Sequence, residues 1–221
     1  MRLTWIVLGV VAASIAGPAV ADETGKVELK LELPEPYFGG TPLDYFGPNL
    51  EAPNYKPRPP FFAPEGTANV AAGKPVTAGS KAVFGNLDML VDGGKSYKDD
   101  SLLGLERGHQ WIQVDLGAAY TLHAILLWHF HQGDRVYFDV AIQVADDAAF
   151  TQNVRTVFNN DHDNTAGAGA GTDKEYIESY RGKFVELTGV TARAVRFLSK
   201  GNTTDDFNHY VEAEVFGTPA K

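Results

Sequence analysis

The chain of 221 residues contains no cysteine. No disulfide can staple it and no thiolate can act as a nucleophile, so stability has to come from buried apolar surface. A bacterial lipid anchor, which needs a cysteine beside the leader's cleavage point, is excluded as well. Positive charge is scarce: 19 Lys and Arg stand against 28 Asp and Glu, a net charge of −9. Such a surface repels nucleic acid, and no basic run interrupts it. It suits cations or neutral, hydroxyl-rich ligands. Catalytic signatures are missing too. There is no Gly-x-Ser-x-Gly elbow and no His-Glu-x-x-His helix. The alternating glycines of Thr165-Ala-Gly-Ala-Gly-Ala-Gly-Thr-Asp-Lys174 lack the Gly-Lys-Ser/Thr ending of a phosphate-cradling loop.

The first residues are Arg2 and then an apolar run ending in Ala19-Val-Ala21. One positive charge, a short apolar core and an Ala-x-Ala end form a cleaved secretory leader, too short and wrongly flanked for a permanent span. The expected product is exported, periplasmic or secreted, and begins at Asp22. Removing Arg2 with the leader leaves 18 basic against 28 acidic residues, a net charge of −10. No second apolar run approaches the roughly 20 residues of a membrane-spanning helix, so no membrane insertion is expected after cleavage.

Residues 22–68 read as an extended arm. Nine of the 12 prolines fall here, from Pro34 to Pro64, a density that forbids helices and central strands. Yet the segment carries Tyr37, Phe38, Tyr45, Phe46, Tyr55, Phe61 and Phe62, whose rings are costly to leave in water. They dock either on the chain's own core or on a protein partner. Val27-Glu-Leu-Lys-Leu-Glu-Leu33 alternates apolar and charged residues, the pattern of an edge strand.

From Asn69 to Gly217 short strands alternate with Gly, Asn and Asp turns. Strands are predicted at 110–116, 120–130, 136–145, 154–158, 183–187, 192–199 and 209–216, the first two joined by a tight Gly turn. No helical periodicity of useful length separates them. Many short antiparallel strands in about 150 residues predict an all-β, antiparallel jelly-roll β-sandwich.

Three segments could carry chemistry. In His129-Phe-His131 the imidazoles share one face of a strand, and Arg135 follows. A short loop at Gln132-Gly-Asp134 would close a hairpin and set His129 against Tyr137. Asn159-Asn-Asp161-His162-Asp163-Asn164 is dense in oxygen ligands. It begins like a calcium loop, but Ala166 and Thr172 stand where the turn Gly and the bidentate Glu belong, so an EF-hand is ruled out. An Asn/Asp-rich turn bonded to its own backbone explains the same residues. Asn208-His209-Tyr210 leads into the last strand and offers donors, acceptors and a ring. Were the four histidines 129, 131, 162 and 209 to converge with carboxylates, they could hold zinc; they could equally grip sugar hydroxyls.

Trp111-Ile-Gln-Val-Asp-Leu-Gly117 and Tyr120-Thr-Leu-His-Ala-Ile-Leu-Leu-Trp128, with Asn69-Val-Ala-Ala-Gly-Lys-Pro-Val76 and Glu212-Ala-Glu-Val-Phe-Gly217, resemble the discoidin (coagulation factor 5/8 type C) family of galactose-binding-like sandwiches. The resemblance spans residues 69–217 and implies a binding module, not an enzyme. It implies a structural calcium held at Asp92, in Val91-Asp-Gly-Gly-Lys95, and at Glu212. The family's next Thr/Ser usually follows that Asp-Gly closely, whereas here Lys95-Ser-Tyr-Lys-Asp-Asp-Ser101 intervenes. It also implies a ligand face of loops at one end of the sandwich, where carbohydrate-binding members use His, Arg and Asn.

The resulting expectation is a non-catalytic module that binds carbohydrate or another envelope ligand through His129, His131, Arg135, Asp161, His162, Asp163, Asn208 and His209. Replacing His129 and His131 with Ala is then expected to abolish binding and spare the melting temperature. Two other readings stay open. One is a structural subunit of a cell-envelope assembly docking through the arm. The other is a metal-dependent hydrolase built from the His and Asp residues.

Overall fold

A computed structural model describes residues 25–37, 40, 44–54, 56–133 and 135–221. The predicted leader at 1–21 and residues 22–24, 38, 39, 41–43, 55 and 134 lie outside this set. In chain order the strands are β1 (Lys26–Glu28), β2 (Phe62–Pro64), β3 (Ala68–Asn69), β4 (Val76–Ala78), β5 (Ala82–Phe84), β6 (Leu103–Arg107), β7 (Gln110–His129), β8 (Ala141–Ala145), β9 (Arg155–Asn159), β10 (Lys183–Ser199) and β11 (Phe207–Pro219). Two 3-10 turns, Leu87–Val91 and Asp99–Ser101, are the helical elements among the described residues. The predicted all-β sandwich is what forms. Its main path runs β5-β6-β11-β7-β10-β8-β9, with β3 added on β11 and β4 on β7. Every strand pair is antiparallel.

The long strands bend between the two layers and enclose the core. Ile112, Val114, Leu116, Leu122, Ile125 and Leu127 of β7 face Val195 and Phe197 of β10 and Ala213 and Val215 of β11 in that interior. Each fully buried Leu, Ile, Val or Phe contributes about 1.5–3 kcal/mol, which replaces the missing disulfides. The alternate residues Ala124, Leu126, Trp128 and Phe130 point to the other face, which is not solvated. Leu29, Leu31, Phe61 and Phe184 cover it. This double burial is why residues 124–128 read as an unbroken apolar run.

Residues of the proline-rich segment supply that cover. β1 pairs with β2, and Leu29 N–H donates to Phe61 O at 2.8 Å. Tyr37 stacks on Tyr97 at 4.3 Å, Tyr45 meets Phe138 at 5.4 Å, and Phe61 meets Phe184 edge-on at 5.1 Å. Among the described rings of the segment, Phe46 is 82% exposed. The predicted edge strand is shorter than its alternation, Lys26–Glu28 instead of 27–33.

Several boundaries differ from the predicted ones. The stretches 110–116 and 120–130 are one strand, because both halves pair antiparallel with β10. Gly117, at φ 82°, makes a jog and not a reversal. Likewise 183–187 and 192–199 merge into β10, with its register shift at Gly189. The predicted strand 136–145 is cut at its middle. Asp139 adopts φ 50°, so the chain turns there, and only Ala141–Ala145 is a strand. Val136 and Tyr137 instead bridge to Ile177 and Asn202, so the hairpin with β7 does not form.

Candidate functional site

The end of β7, the segment 135–139, the loop 159–175 and the turn 200–206 meet at one end of the sandwich. Five of the eight predicted ligand residues lie beneath this end and not on it: His129, His131, Asp161, Asn208 and His209 are 5% exposed or less. Spacing had placed the two histidines on one face but could not give their depth.

His129 is held on all sides. Its ring stacks on Tyr137 at 4.3 Å and leans on Tyr210 at 4.8 Å. Its backbone N–H and its Nδ1 both meet Glu178 Oε2 at 3.2 Å. Its Nε2 is buried without a partner, as is that of His131. His131 Nδ1 lies 3.3 Å from His129 O, the arrangement of an Nδ1–H donor. Burial pulls the His131 imidazole below its ordinary pKa, against the pull of Glu178. Burial pushes the Tyr137 and Tyr176 hydroxyls well above theirs. Both imidazoles are packing residues in this geometry, so substituting them is expected to cost stability. That corrects the expectation that alanines there spare the fold.

Asn208 uses its whole amide. Its Oδ1 accepts from Ser199 Oγ at 2.7 Å and Gly201 N at 3.0 Å, and its Nδ2 donates to Glu106 O at 2.6 Å and Gly108 O at 2.9 Å. Ser199 spends its proton on Asn208, so in the 2.8 Å contact with Tyr210 the phenol donates. Beside this network Arg135 Nη1 is shared among Asn202 Oδ1 at 3.3 Å, Asp205 Oδ2 at 3.4 Å and His209 Nδ1 at 3.3 Å. A guanidinium only donates, so His209 Nδ1 accepts and its proton sits on Nε2, 3.8 Å from Asp205. Burial lowers the His209 pKa; Asp205 opposes this, and Arg135 adds to it.

The 159–166 segment closes on itself. Asp161 Oδ1 accepts from Thr165 N at 3.1 Å and Oδ2 from Ala166 N at 2.7 Å. Asn159 Oδ1 accepts from Asp161 N at 2.9 Å, and His162 Nδ1 lies 3.2 Å from Gly171 O. This is the Asn/Asp turn bonded to its own backbone. Asp163 is exposed; the Thr165 hydroxyl holds its carboxyl below the usual range, with help from Asp161 and Lys200.

Above these buried groups opens a cleft of about 470 Å³, lined by Arg107, Phe138, Asp139, Asp163, Lys200 and Asp206. Lys200 Nζ is 3.4 Å from Asp139 Oδ2, which also accepts from Thr165 Oγ1 at 2.7 Å. One oxygen each of Asp139, Asp161 and Asp163 lies within 4.8 Å of the others. Among the described residues no histidine joins a group of three metal-ligating side chains at that spacing. Of the predicted ligand residues, Asp163 alone lines the cleft. Sequence reasoning missed Arg107, Lys200 and Asp206, which carry no spacing signal. Phe138 and Asp139 read as strand residues until the turn at Asp139 brought them to the rim.

Asp92 and Glu212 lie elsewhere, together. Glu212 Oε2 accepts from Gly93 N at 3.0 Å and Asp92 Oδ1 from Gly94 N at 2.7 Å. Glu212 Oε1 is buried without a partner, and burial pushes this carboxyl up to about 8. A Cβ on Gly94 would stand 2.9 Å from Asp92 Oδ1 and 3.3 Å from Ser101 Oγ, so both oxygens border one small space. Ser101 reaches it despite the intervening insertion in sequence. Lys95 bonds Glu214 Oε1 at 2.6 Å and offsets the burial of Glu212 only in part.

No protein-family model matches the chain, and no curated protein matches it. Solved structures do. A family 89 glycoside hydrolase from Clostridium perfringens in complex with PUGNAc is 22% identical with a TM-score of 0.53, over 68% of this chain and 15% of that one. The chain thus spans about 15% of that enzyme's length. A chitosan-binding module from a chitosanase/glucanase of Paenibacillus sp. IK-5 is 24% identical with a TM-score of 0.50, over 68% of this chain and 99% of that one. A Streptococcus pneumoniae fucose binding module is 19% identical with a TM-score of 0.50, over 67% and 96%. The shared fold is the galactose-binding-like sandwich that the discoidin resemblance implies.

Proposed function

We propose that this chain is an exported, non-catalytic carbohydrate-binding module whose ligand occupies the cleft between Phe138, Asp139, Asp163 and Lys200. The observation that carries the reading is the composition of that cleft. Two cations, Arg107 and Lys200, and three carboxylates, Asp139, Asp163 and Asp206, share it with one aromatic ring, Phe138. Sugar hydroxyls both donate and accept, so they match a rim of mixed sign, and Phe138 offers an apolar face to the ring carbons. His129, His131, Asp161 and Asn208 serve this site from below by fixing the loops, while Arg135, His162 and His209 stiffen its flanks. The likeness in fold to chitosan-binding and fucose binding modules supports the ligand class.

A structural calcium fits the second cluster. The orphaned Oε1 of Glu212 and the oxygens of Asp92 and Ser101 are the hard donors such an ion takes, and the ion would supply the charge the buried carboxyl lacks. Its part is to pin the 92–101 loop, not to do chemistry. Zinc at the histidines is the lesser alternative, since no three of the metal-ligating groups there converge among the described residues. A protein partner for the arm would have Phe46 to hold, the described ring it leaves bare.

The test is calorimetric titration of the mature protein with neutral oligosaccharides chosen from a glycan array. Asp163→Asn and Lys200→Ala are expected to weaken binding about tenfold each, a loss of about 1.4 kcal/mol, with unchanged unfolding curves. Binding that survives both substitutions would remove the cleft from the reading.

A further inference from the structure

A second cleft, of about 380 Å³, lies between residues 51, 53, 54, 56, 58 and 59 and the segment 176–184, and shares no lining residue with the loop-end cleft. Its charge is unlike that of the rest of the molecule. In a chain of net charge −9, Lys56, Arg58, Arg181 and Lys183 line it against two carboxylates, Glu51 and Glu178. The two arginines form a reciprocal latch. Arg58 Nη2 donates to Arg181 O at 2.7 Å and Gly182 O at 2.9 Å, while the Arg181 guanidinium donates to the carbonyl oxygens of Asn54 and Lys56.

A latch of neutral carbonyls explains four hydrogen bonds and leaves the charge unexplained. Among the described residues neither arginine nor Lys56 has a carboxylate within 4.0 Å. Lys183 is the paired cation, 3.3 Å from the half-exposed Glu51. Arg58 Nη1 is buried with no hydrogen-bond partner, and its guanidinium lies 5.1 Å over the Phe184 ring. Burial lowers the Arg58 pKa, and the like charge of Arg181 lowers it further. Glu178 offsets part of this, but its carboxylate is bonded to His129 and to the Ser179 amide, so the two arginines keep no ion-pair partner of their own.

We propose that this cleft is an oxyanion-binding site, sized for one acidic sugar residue and taking its carboxylate or sulfate group between Arg58, Arg181 and Lys56. Guanidinium forks pair with such planar or tetrahedral oxyanions where an ammonium alone gives only a point charge. Because Asn54, Lys56 and Arg58 form one wall, an anion bound there also ties their segment to the sandwich. The site is independent of the neutral-sugar reading of the loop end and stands or falls separately.

The probes are tri-galacturonate and inorganic sulfate, titrated into the mature protein at low salt and followed by calorimetry and thermal shift. Tri-galacturonate at ten times its Kd is expected to raise the melting temperature by about 3–6 °C. Raising the salt should weaken it, as charge screening requires. Arg58→Gln should lose binding at least tenfold. Since that change also loosens the latch, Lys56→Gln provides the second arm. Lys56 donates no side-chain hydrogen bond to the latch, so this variant should unfold like the wild type and bind several-fold more weakly. Sulfate binding as tightly as tri-galacturonate supports the oxyanion site and assigns it to free anions; preference for the uronate assigns it to an acidic glycan. Absence of binding by either probe, or binding indifferent to Lys56→Gln and to salt, would overturn the proposal.

Discussion

Asp161 and Glu212 are both carboxylates with essentially no exposure, yet they stand in opposite surroundings. Each oxygen of Asp161 accepts a backbone N–H from the loop it closes. Glu212 has one oxygen on Gly93 N and the other on nothing. The first belongs to a finished turn and needs no further partner. The second belongs to a site that is complete only with a cation or a proton. The same contrast separates Asn208, with four hydrogen bonds, from Arg58, with an orphaned nitrogen. His129 and His131 also carry an unpartnered nitrogen, but in packed imidazole rings; at Glu212 and Arg58 the orphaned atom is part of a charged group, and it is there that the proposed ions would bind.

The comparison breaks most visibly at Asn208. Asn208→Ala frees the carbonyls of Glu106 and Gly108 and the N–H of Gly201 at once. Glu106 and Gly108 are exposed and their carbonyls can turn to water, whereas Gly201 is buried; at about 1–3 kcal/mol for a buried group left unpaired, the loss should reach about 3 kcal/mol in urea unfolding. Asp161→Ala is the next largest, at about 2 kcal/mol, because it frees the amide of Ala166 and leaves that of Thr165 to Asp163 Oδ1 alone. Neither loss should be relieved by any metal. Rescue of Asp161→Ala by calcium would show that the turn is not self-sufficient.

Glu212 should behave in the opposite way. Calcium added to the EDTA-treated protein is expected to stabilise it by about 1.4–2.7 kcal/mol at 10–100 times Kd. Glu212→Gln keeps the shape and the bond to Gly93 N, so it should cost little without calcium and cancel the calcium effect. A calcium response that persists in Glu212→Gln would place the ion elsewhere. Response to zinc alone would direct attention back to the histidines.

How much of this was legible beforehand follows the same division. Residues 124–128 declared a buried strand because burial on both faces writes an apolar run, here too short for a helix and preceded by a Gly turn signal. That 110–129 is one strand was not legible, since a Gly at φ 82° jogs a strand and ends one with the same letter. Leu103–Arg107 was missed, because Leu-Gly-Leu-Glu-Arg has neither length nor alternation and is a strand only between β5 and β11. His129-x-His131 gave the shared face, but the covering Tyr137 and Tyr210 come from 8 and 81 residues away. Arg58 and Arg181, 123 positions apart, carried no signal at all.

The smallest expected effect concerns the two imidazoles that burial keeps neutral, His131 and His209. Each has its folded pKa below the ordinary 6.5, so below pH 6.5 the unfolded chain binds protons that the folded chain refuses. Stability contributed by each is full above pH 6.5 and is lost as pH falls toward the lowered folded values. Glu212, whose carboxyl is raised, titrates in the opposite sense over part of this range, so the wild-type curve alone mixes the two. The difference between wild type and His209→Gln isolates one imidazole. The substitution has a constant cost from the lost Phe207 and Phe84 contacts, and only the histidine adds a slope with pH. Wild type should lose stability relative to the variant between pH 6.5 and pH 5.5, by no more than about 1 kcal/mol, the limit for one group over that unit. A flat difference would mean that Asp205, the carboxylate opposing burial at this ring, outweighs it, and that His209 belongs with the charged rim and not with the packed floor.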